Sequence, residues 1–247
     1  MITSLDNPRV KDVLRLRKSR ERRSTGLFVA EGPREVGRAR EAGLRIVETY
    51  YAPDLVDWDE GEAVSARVLA KMSYRAEPEG VIAVVEAPKR ELPLGGSLYL
   101  VAAGVEKPGN LGAMARSAVA AGADALVVAG GTVDIWNPNA IRASTGAVFG
   151  LPVVEATLED IVALGVRIVA AVVGAPTVYT AADLGAPAAI VVGAEAGGLT
   201  GRWLEAAHVQ VSIPVARGSG VDSLNTATAA AILLFEAVRQ RAARAHG

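Results

Sequence analysis

The chain has no cysteine and only two histidines, His208 and His246, in 247 residues. Disulfides, thiolate zinc sites and a cysteine nucleophile are excluded, and histidine-based metal centres or a catalytic triad are poorly provided for. Aromatic residues make up 4% of the chain while hydrophobic residues make up 51%, so alanine, valine and leucine carry the core. That mixture suits buried parallel strands covered by close-packed helices. No apolar run approaches the ~20 residues that span a bilayer. The opening Met-Ile-Thr-Ser-Leu-Asp-Asn-Pro lacks the charged-then-apolar layout of a secretory leader. A cytoplasmic protein without metal or membrane attachment is the expectation.

Charge of one sign is also missing overall: the net charge is −1. It is not missing locally. Arg9, Lys11, Arg15, Arg17, Lys18, Arg20, Arg22 and Arg23 face only Asp12 and Glu21 in the same stretch. Such a run is either a solvated helix face or a surface that tracks a phosphate backbone, for which Arg15, Arg17, Arg20 and Arg22 are the candidates.

The chain changes rhythm once. In its first third, Asn7-Pro8 reads as a cap and first helical position. Residues 27–30, 45–51 and 81–86 read as strands, with helices from Pro33 to about Ala42 and over Glu62–Lys71. Between Glu86 and Gly96, Pro88, Pro93 and Gly95 break every periodic pattern and mark a linker. After it, strand-like runs at 97–105, 125–129, 166–173, 188–192 and 209–213 alternate with Ala-rich helical segments. The fold class is α/β, with domains 1–88 and 96–247, the second built on a mainly parallel sheet. Ligands in such sheets bind at the carboxyl ends of the strands.

Three loops lie at such ends. Glu106 to Ala123 follows the first strand of the second domain and carries Asn110, a candidate cap, and Arg116 two turns in beside Leu111, Ala115 and Val119, where it would line a cleft. Val191 to Thr200 is a glycine-bearing turn containing Glu195. Ile213-Pro214 leads through a polar loop to Asp222-Ser223-Leu224-Asn225, with Ser223 the expected cap of the last helix. No dinucleotide fingerprint fits, because Gly104, Gly109 and Gly112 are too widely spread, and no Walker loop exists.

In order and spacing, Lys107-Pro108-Gly109-Asn110-Leu111-Gly112 through Arg116, Val192 to Leu199, and Ile213-Pro214 through Ser223-Leu224-Asn225 resemble the SpoU (TrmH-like) family of SPOUT RNA ribose 2′-O-methyltransferases. Asn137 to Ala147 looks like the family's segment between the first two blocks. The likeness runs from Ser97 to the last helix, and residues 1–88 look like the family's small α/β RNA-binding extension. The resemblance implies a C-terminal SPOUT trefoil-knot domain, an S-adenosyl-L-methionine pocket formed by its loops, and a homodimer with the site at the interface. By position, Val173, Gly193, Ile213 and Leu224 match the cofactor contacts. Asn110, Arg116, Glu195, Ser223 and Asn225 match the catalytic centre, with Glu195 orienting the Arg116 guanidinium. The family assigns that arginine as general base, although an arginine almost never gives up its proton. Ala194 and Ala196 stand where the family often has Asn and Gly, and the loop 215–222, with Arg217, is slightly longer. The implied activity is ribose methylation of RNA, foremost ribosomal RNA. Transfer RNA as substrate, a resistance methyltransferase acting at one ribosomal nucleotide, and a non-catalytic assembly factor with the same fold are the alternatives.

Overall fold

Asn7 accepts from the Arg9 amide at 2.9 Å, and Pro8 fills the first helical position, where a missing N–H is harmless. The helix so started, α1 (Pro8–Arg15), turns Val10 and Val13 inward. It opens a computed structural model that describes residues 1–130, 133–216, 218 and 220–245. The chain forms two compact units: Met1–Lys89 with Asp134–Gly150, and Arg90–Val133 with Leu151–Gly247.

In the first unit α1 is followed by α2 (Ser19–Thr25), β1 (Leu27–Glu31), α3 (Pro33–Glu41), β2 (Ile46–Tyr51), β3 (Glu62–Ala63), α4 (Ala66–Met72) and β4 (Val81–Glu86). The strands pair in the order β1-β4-β2-β3. Pairing is antiparallel about β4 and parallel between β2 and β3. The helix expected from Glu62 starts later, because Glu62 and Ala63 pair with Tyr50 and Tyr51 and Ser65 caps α4 by accepting from the Val68 amide. Val10, Val13, Tyr50, Val68, Leu69, Met72 and Ile82 fill the core. Residues 134–150 add an aromatic stack to this unit, with Phe28 4.6 Å from Trp136 and 5.6 Å from Phe149.

In the second unit, β5 (Leu98–Ala103), α5 (Pro108–Ala120) and β6 (Ala125–Ala129) precede α6 (Pro138–Ser144), which belongs to the first unit. Then come β7 (Val153–Glu155), α7 (Leu158–Ala163), β8 (Arg167–Ala171), β9 (Thr177–Val178), β10 (Ala188–Val192), α8 (Gly201–Ala206), β11 (Val209–Ser212) and α9 (Thr226–Ala245). The sheet runs β7-β6-β5-β10-β8-β11-β9 with every pairing parallel. The short edge strands β7 and β9 were not expected; with three and two residues they are too brief to show a period. Strands β5, β6 and β10 are buried along their whole length, as parallel strands covered on both faces must be.

The last helix begins at Thr226, not Ser223. Asn225 is the cap, accepting from the amides of Ala227 at 2.9 Å and Thr228 at 3.3 Å. Farther along, Gln240 accepts from the Leu184 and Gly185 amides at 2.8 and 3.1 Å, and Arg241 donates to the Ser97 carbonyl at 2.7 Å. These bonds tie the last helix to the backbone that leads into β5 and β10.

Candidate active site

Strands β5 and β10 are neighbours in the sheet although their last residues, Ala103 and Val192, lie 89 positions apart in sequence, so their carboxyl ends bring two distant loops together. After β5, Lys107 occupies the cap position of α5 and Pro108 its first turn, so Asn110 lies inside the helix and its amide is released from capping. After β10, the Ala194 amide donates to the Gly198 carbonyl at 3.2 Å across a tight turn. Gly197 and Gly198 take φ of +92° and +65° there, a region L side chains rarely adopt. Gly193 has no room for a side chain: a Cβ would stand 2.6 Å from the Leu199 nitrogen and closer still to the Gly198 carbonyl.

That turn delivers Glu195 to the mouth of α5. One carboxylate oxygen accepts from the Asn110 amide and the other pairs with the Lys107 ammonium. Asn225 extends the chain of bonds, donating to Asn110 Oδ1 at 3.2 Å while its own Oδ1 caps α9. The Lys107 bond first, and the Asn110 bond after it, hold the Glu195 carboxyl below the ordinary carboxylate range. Both partners of the ion pair reach solvent, so its worth is orientation more than stability. Asn110, Glu195 and Asn225 are thus brought together. Arg116 is not with them. It is exposed on α5, makes no hydrogen bond or ion pair among the described residues, and does not line the cleft described next. Where Glu195 is expected to orient that guanidinium, within this chain its carboxylate instead bonds Lys107 and Asn110. Lys107 was the residue that sequence reading left without a role. The signal for it is a cation placed immediately before the Pro108 helix start.

A cleft of about 450 Å³ opens at the ends of β8, β10 and β11, within the size range of small-molecule sites. Its wall includes Val173, Gly193, Ile213 and Leu224, along with Leu199, Leu204, Val215, Ser223 and Thr226, and Glu195 joins it to the polar chain just described. The Thr226 hydroxyl donates to the Gly193 carbonyl at 2.9 Å, tying the start of α9 to the end of β10. Among the described residues no cluster of His, Cys, Asp or Glu could hold a metal, and no helix is long and apolar enough to cross a membrane.

The basic stretch of the first unit divides by burial. Arg15 and Arg20 are exposed, Arg15 beside Asp12 at 3.1 Å. Arg17 is exposed too, but its guanidinium donates to the Lys71 and Ser73 carbonyls and lies 5.5 Å over the Tyr74 ring. Arg22 departs from the expected surface. It is 4% exposed, paired with Asp134 at 2.6 Å and donating to the Leu16 carbonyl, so it is a structural cation. Arg217 and His246 lie outside the described residues.

Comparison with known proteins places this geometry. Residues 97–235 match the SpoU rRNA Methylase family, and residues 7–83 match the MRM3-like substrate binding domain. A 23S rRNA guanosine 2′-O-methyltransferase of Bacillus subtilis is 32% identical over 246 residues, covering 95% of this chain and 97% of its own. A crystal structure of an RNA 2′-O ribose methyltransferase superposes with a TM-score of 0.87 at 41% identity, covering 98% of this chain and 99% of the other. The AdoMet-bound rRNA methyltransferase of Sinorhizobium meliloti gives 0.85 at 32%, covering 96% and 97%. The seven-stranded parallel sheet, the cleft at its carboxyl edge and these matches agree, and the chain belongs to the SpoU rRNA methylase family.

Proposed function

We propose that the chain transfers a methyl group from S-adenosyl-L-methionine to a ribose 2′-hydroxyl of ribosomal RNA. The observation that carries this reading is the cleft at the ends of β8, β10 and β11, joined through Glu195 to Asn110 and Asn225. Its lining fits the cofactor: Leu199, Ile213 and Leu224 offer apolar surface to a flat ring, and Gly193 lets a ligand approach bare backbone. When bound, the cofactor supplies a methyl group on a positively charged sulfur. The protein must then align the hydroxyl, accommodate its departing proton and stabilise the negative charge that develops on oxygen. We assign the last role to Arg116 presented from one protomer to the cleft of the other across the homodimer interface, where its fixed positive charge suits binding a phosphate or nascent alkoxide better than accepting a proton. Asn110, Asn225 and Ser223 are the amides and hydroxyl available to hold the ribose, the two amides fixed by one another and by Glu195.

A homodimer belongs to the proposal. Val119 on α5 and Phe235 on α9 are 46% and 48% exposed, and Arg116 lies one turn from Val119. So does the trefoil knot: β10 inserts between β5 and β8, a return into the sheet interior that simple windings avoid. The domains 1–88 and 96–247 divide the labour, the first holding RNA and the second transferring methyl, in the cytoplasm where ribosomal RNA is available. Incubation with methyl-labelled cofactor and separated, unmodified ribosomal and transfer RNA pools tests the reading. Label recovered as 2′-O-methylnucleoside from ribosomal RNA supports it. Label confined to transfer RNA moves the substrate, and cofactor binding without label in either pool points to an assembly factor.

Three further results are expected. Lys107→Met removes the first partner that lowers the Glu195 carboxyl, which then rises toward its ordinary range. The acid limb of the kcat profile then shifts to higher pH while cofactor affinity holds; superimposable profiles would dismiss the role. Second, Arg15→Glu with Arg20→Glu should weaken RNA binding and lower its salt slope by about 2 without changing Tm. Arg22→Ala should do the reverse, lowering the stability of the first unit by about 3–5 kcal/mol, because Asp134 is left buried without its partner.

A further inference from the structure

In the first unit, Glu31, Glu35, Tyr74, Arg75, Asn139 and Arg142 line a cavity of about 20 Å³, room for one water-sized group. Glu31 builds its wall. At 8% exposure, it accepts from the Ser73 hydroxyl at 3.0 Å and the Tyr74 amide at 2.6 Å, and its carbonyl accepts from Arg75 at 3.2 Å. The loop that presents Tyr74 and Arg75 is thereby fixed.

Glu35 is 1% exposed, and only one of its oxygens is satisfied. Oε1 accepts from Arg34 at 2.8 Å and lies 3.4 Å from the Arg75 guanidinium, whereas Oε2 has no partner among the described residues. A buried carboxylate oxygen without a donor is costly, and native structures rarely retain one without a reason. Gly32, with φ of +95°, borders this oxygen: a Cβ there would stand 3.3 Å from Oε2, and the Glu79 carboxylate lies closer still to that position. The Glu79 side chain covers Gly32 and pairs with Arg75; it is 44% exposed, and it must swing aside to admit a donor to Oε2.

An acceptor-only oxygen calls for an N–H donor, and the cavity admits an amino group but not a whole ring. Tyr74, 40% exposed, offers an aromatic surface at the rim, and the exposed Arg142 offers a cation for a phosphate. RNA readers combine these features when they take up an unstacked base. Guanine alone among the four bases sets a ring N–H beside its exocyclic amino group; the amino groups of adenine and cytosine sit beside an acceptor ring nitrogen, which a carboxylate repels. We propose that this cavity reads an unpaired guanine of the RNA substrate, whose amino edge donates to Glu35 Oε2 while Tyr74 and Arg142 hold its ring and phosphate. The proposal rests on the RNA-binding role given to this unit above.

The test compares the full chain's affinity for a pentauridylate with a central guanosine and for the same oligonucleotide with central inosine, which lacks only the amino group. The guanosine form is expected to bind at least about tenfold tighter, the worth of one hydrogen bond to a charged acceptor. In Glu35→Gln the amide oxygen keeps the Arg34 bond and the nitrogen replaces Oε2, turning an acceptor into a donor. The preference should then vanish. Equal affinity of the unaltered protein for both, or no binding of either, overturns the proposal and leaves the cavity to a water. That comparison needs no variant, so a folding defect in Glu35→Gln leaves it decisive. Methyl transfer and cofactor binding, measured on the same preparation, report on the proposed function separately: guanine preference without methylation would sink that reading and keep this one.

Discussion

Arg116→Ala should lower methyl transfer by about 10²–10³-fold, the usual loss when one donor aimed at a developing oxyanion is removed. Nothing structural is expected to change with it. The side chain is exposed and makes no hydrogen bond or ion pair among the described residues, so its removal leaves no buried partner behind. It also does not line the cleft, so cofactor affinity should stand. A large fall in kcat at constant Tm and constant cofactor Kd is therefore the expected signature. Arg116→Lys sharpens it: the charge is kept but the planar fork is lost, and activity should be only partly restored. Near-normal turnover of the alanine variant would remove Arg116 from the chemistry. Loss of cofactor binding would show that it acts on the cleft instead.

Much of this arrangement was legible before any coordinates. The strands read at 125–129 and 188–192 coincide with β6 and β10, because fully buried parallel strands leave uninterrupted apolar runs bounded by turns. The loops carrying Asn110, Glu195 and Asn225 were readable as strand ends. What was not legible depends on the order of strands in space. Nothing local says that β10 lies beside β5, and only that adjacency gives Glu195 to Lys107 and Asn110 and denies it to Arg116. The caps moved for a similar reason. Ser223 and Asn225 are both good capping types, and the bond from Asn225 to Asn110, a contact 115 residues apart, accompanies the choice of the second. Arg22 looked like its basic neighbours until Asp134, far along the chain, supplied a buried partner.

Among the glycines of the described residues that line the cleft, Gly193 should be the one whose change to alanine damages cofactor binding most. The new Cβ would lie 2.6 Å from the Leu199 nitrogen and nearer to the Gly198 carbonyl group, and both are backbone rather than side-chain ends that could rotate away. The turn must open to relieve this. Opening it breaks the bond from Ala194 to Gly198 and strains the one from Thr226 to the Gly193 carbonyl, so the ends of β10 and α9 lose their register on the cleft. Overpacking of this kind is worth about 1–3 kcal/mol, and displacement of the Glu195 turn adds to it in the chemical step. Cofactor affinity measured by calorimetry should fall by roughly tenfold to more than a hundredfold, with kcat falling further. Gly109→Ala is the control, since Gly109 stands near the same site in α5 with open space about its missing Cβ. There alanine should be neutral or slightly stabilising, as a better helix former in an unstrained position. If Gly193→Ala bound the cofactor normally, the turn would have to be loose enough to yield. The close backbone contact at Gly198 and Leu199 could then no longer be what shapes the cleft.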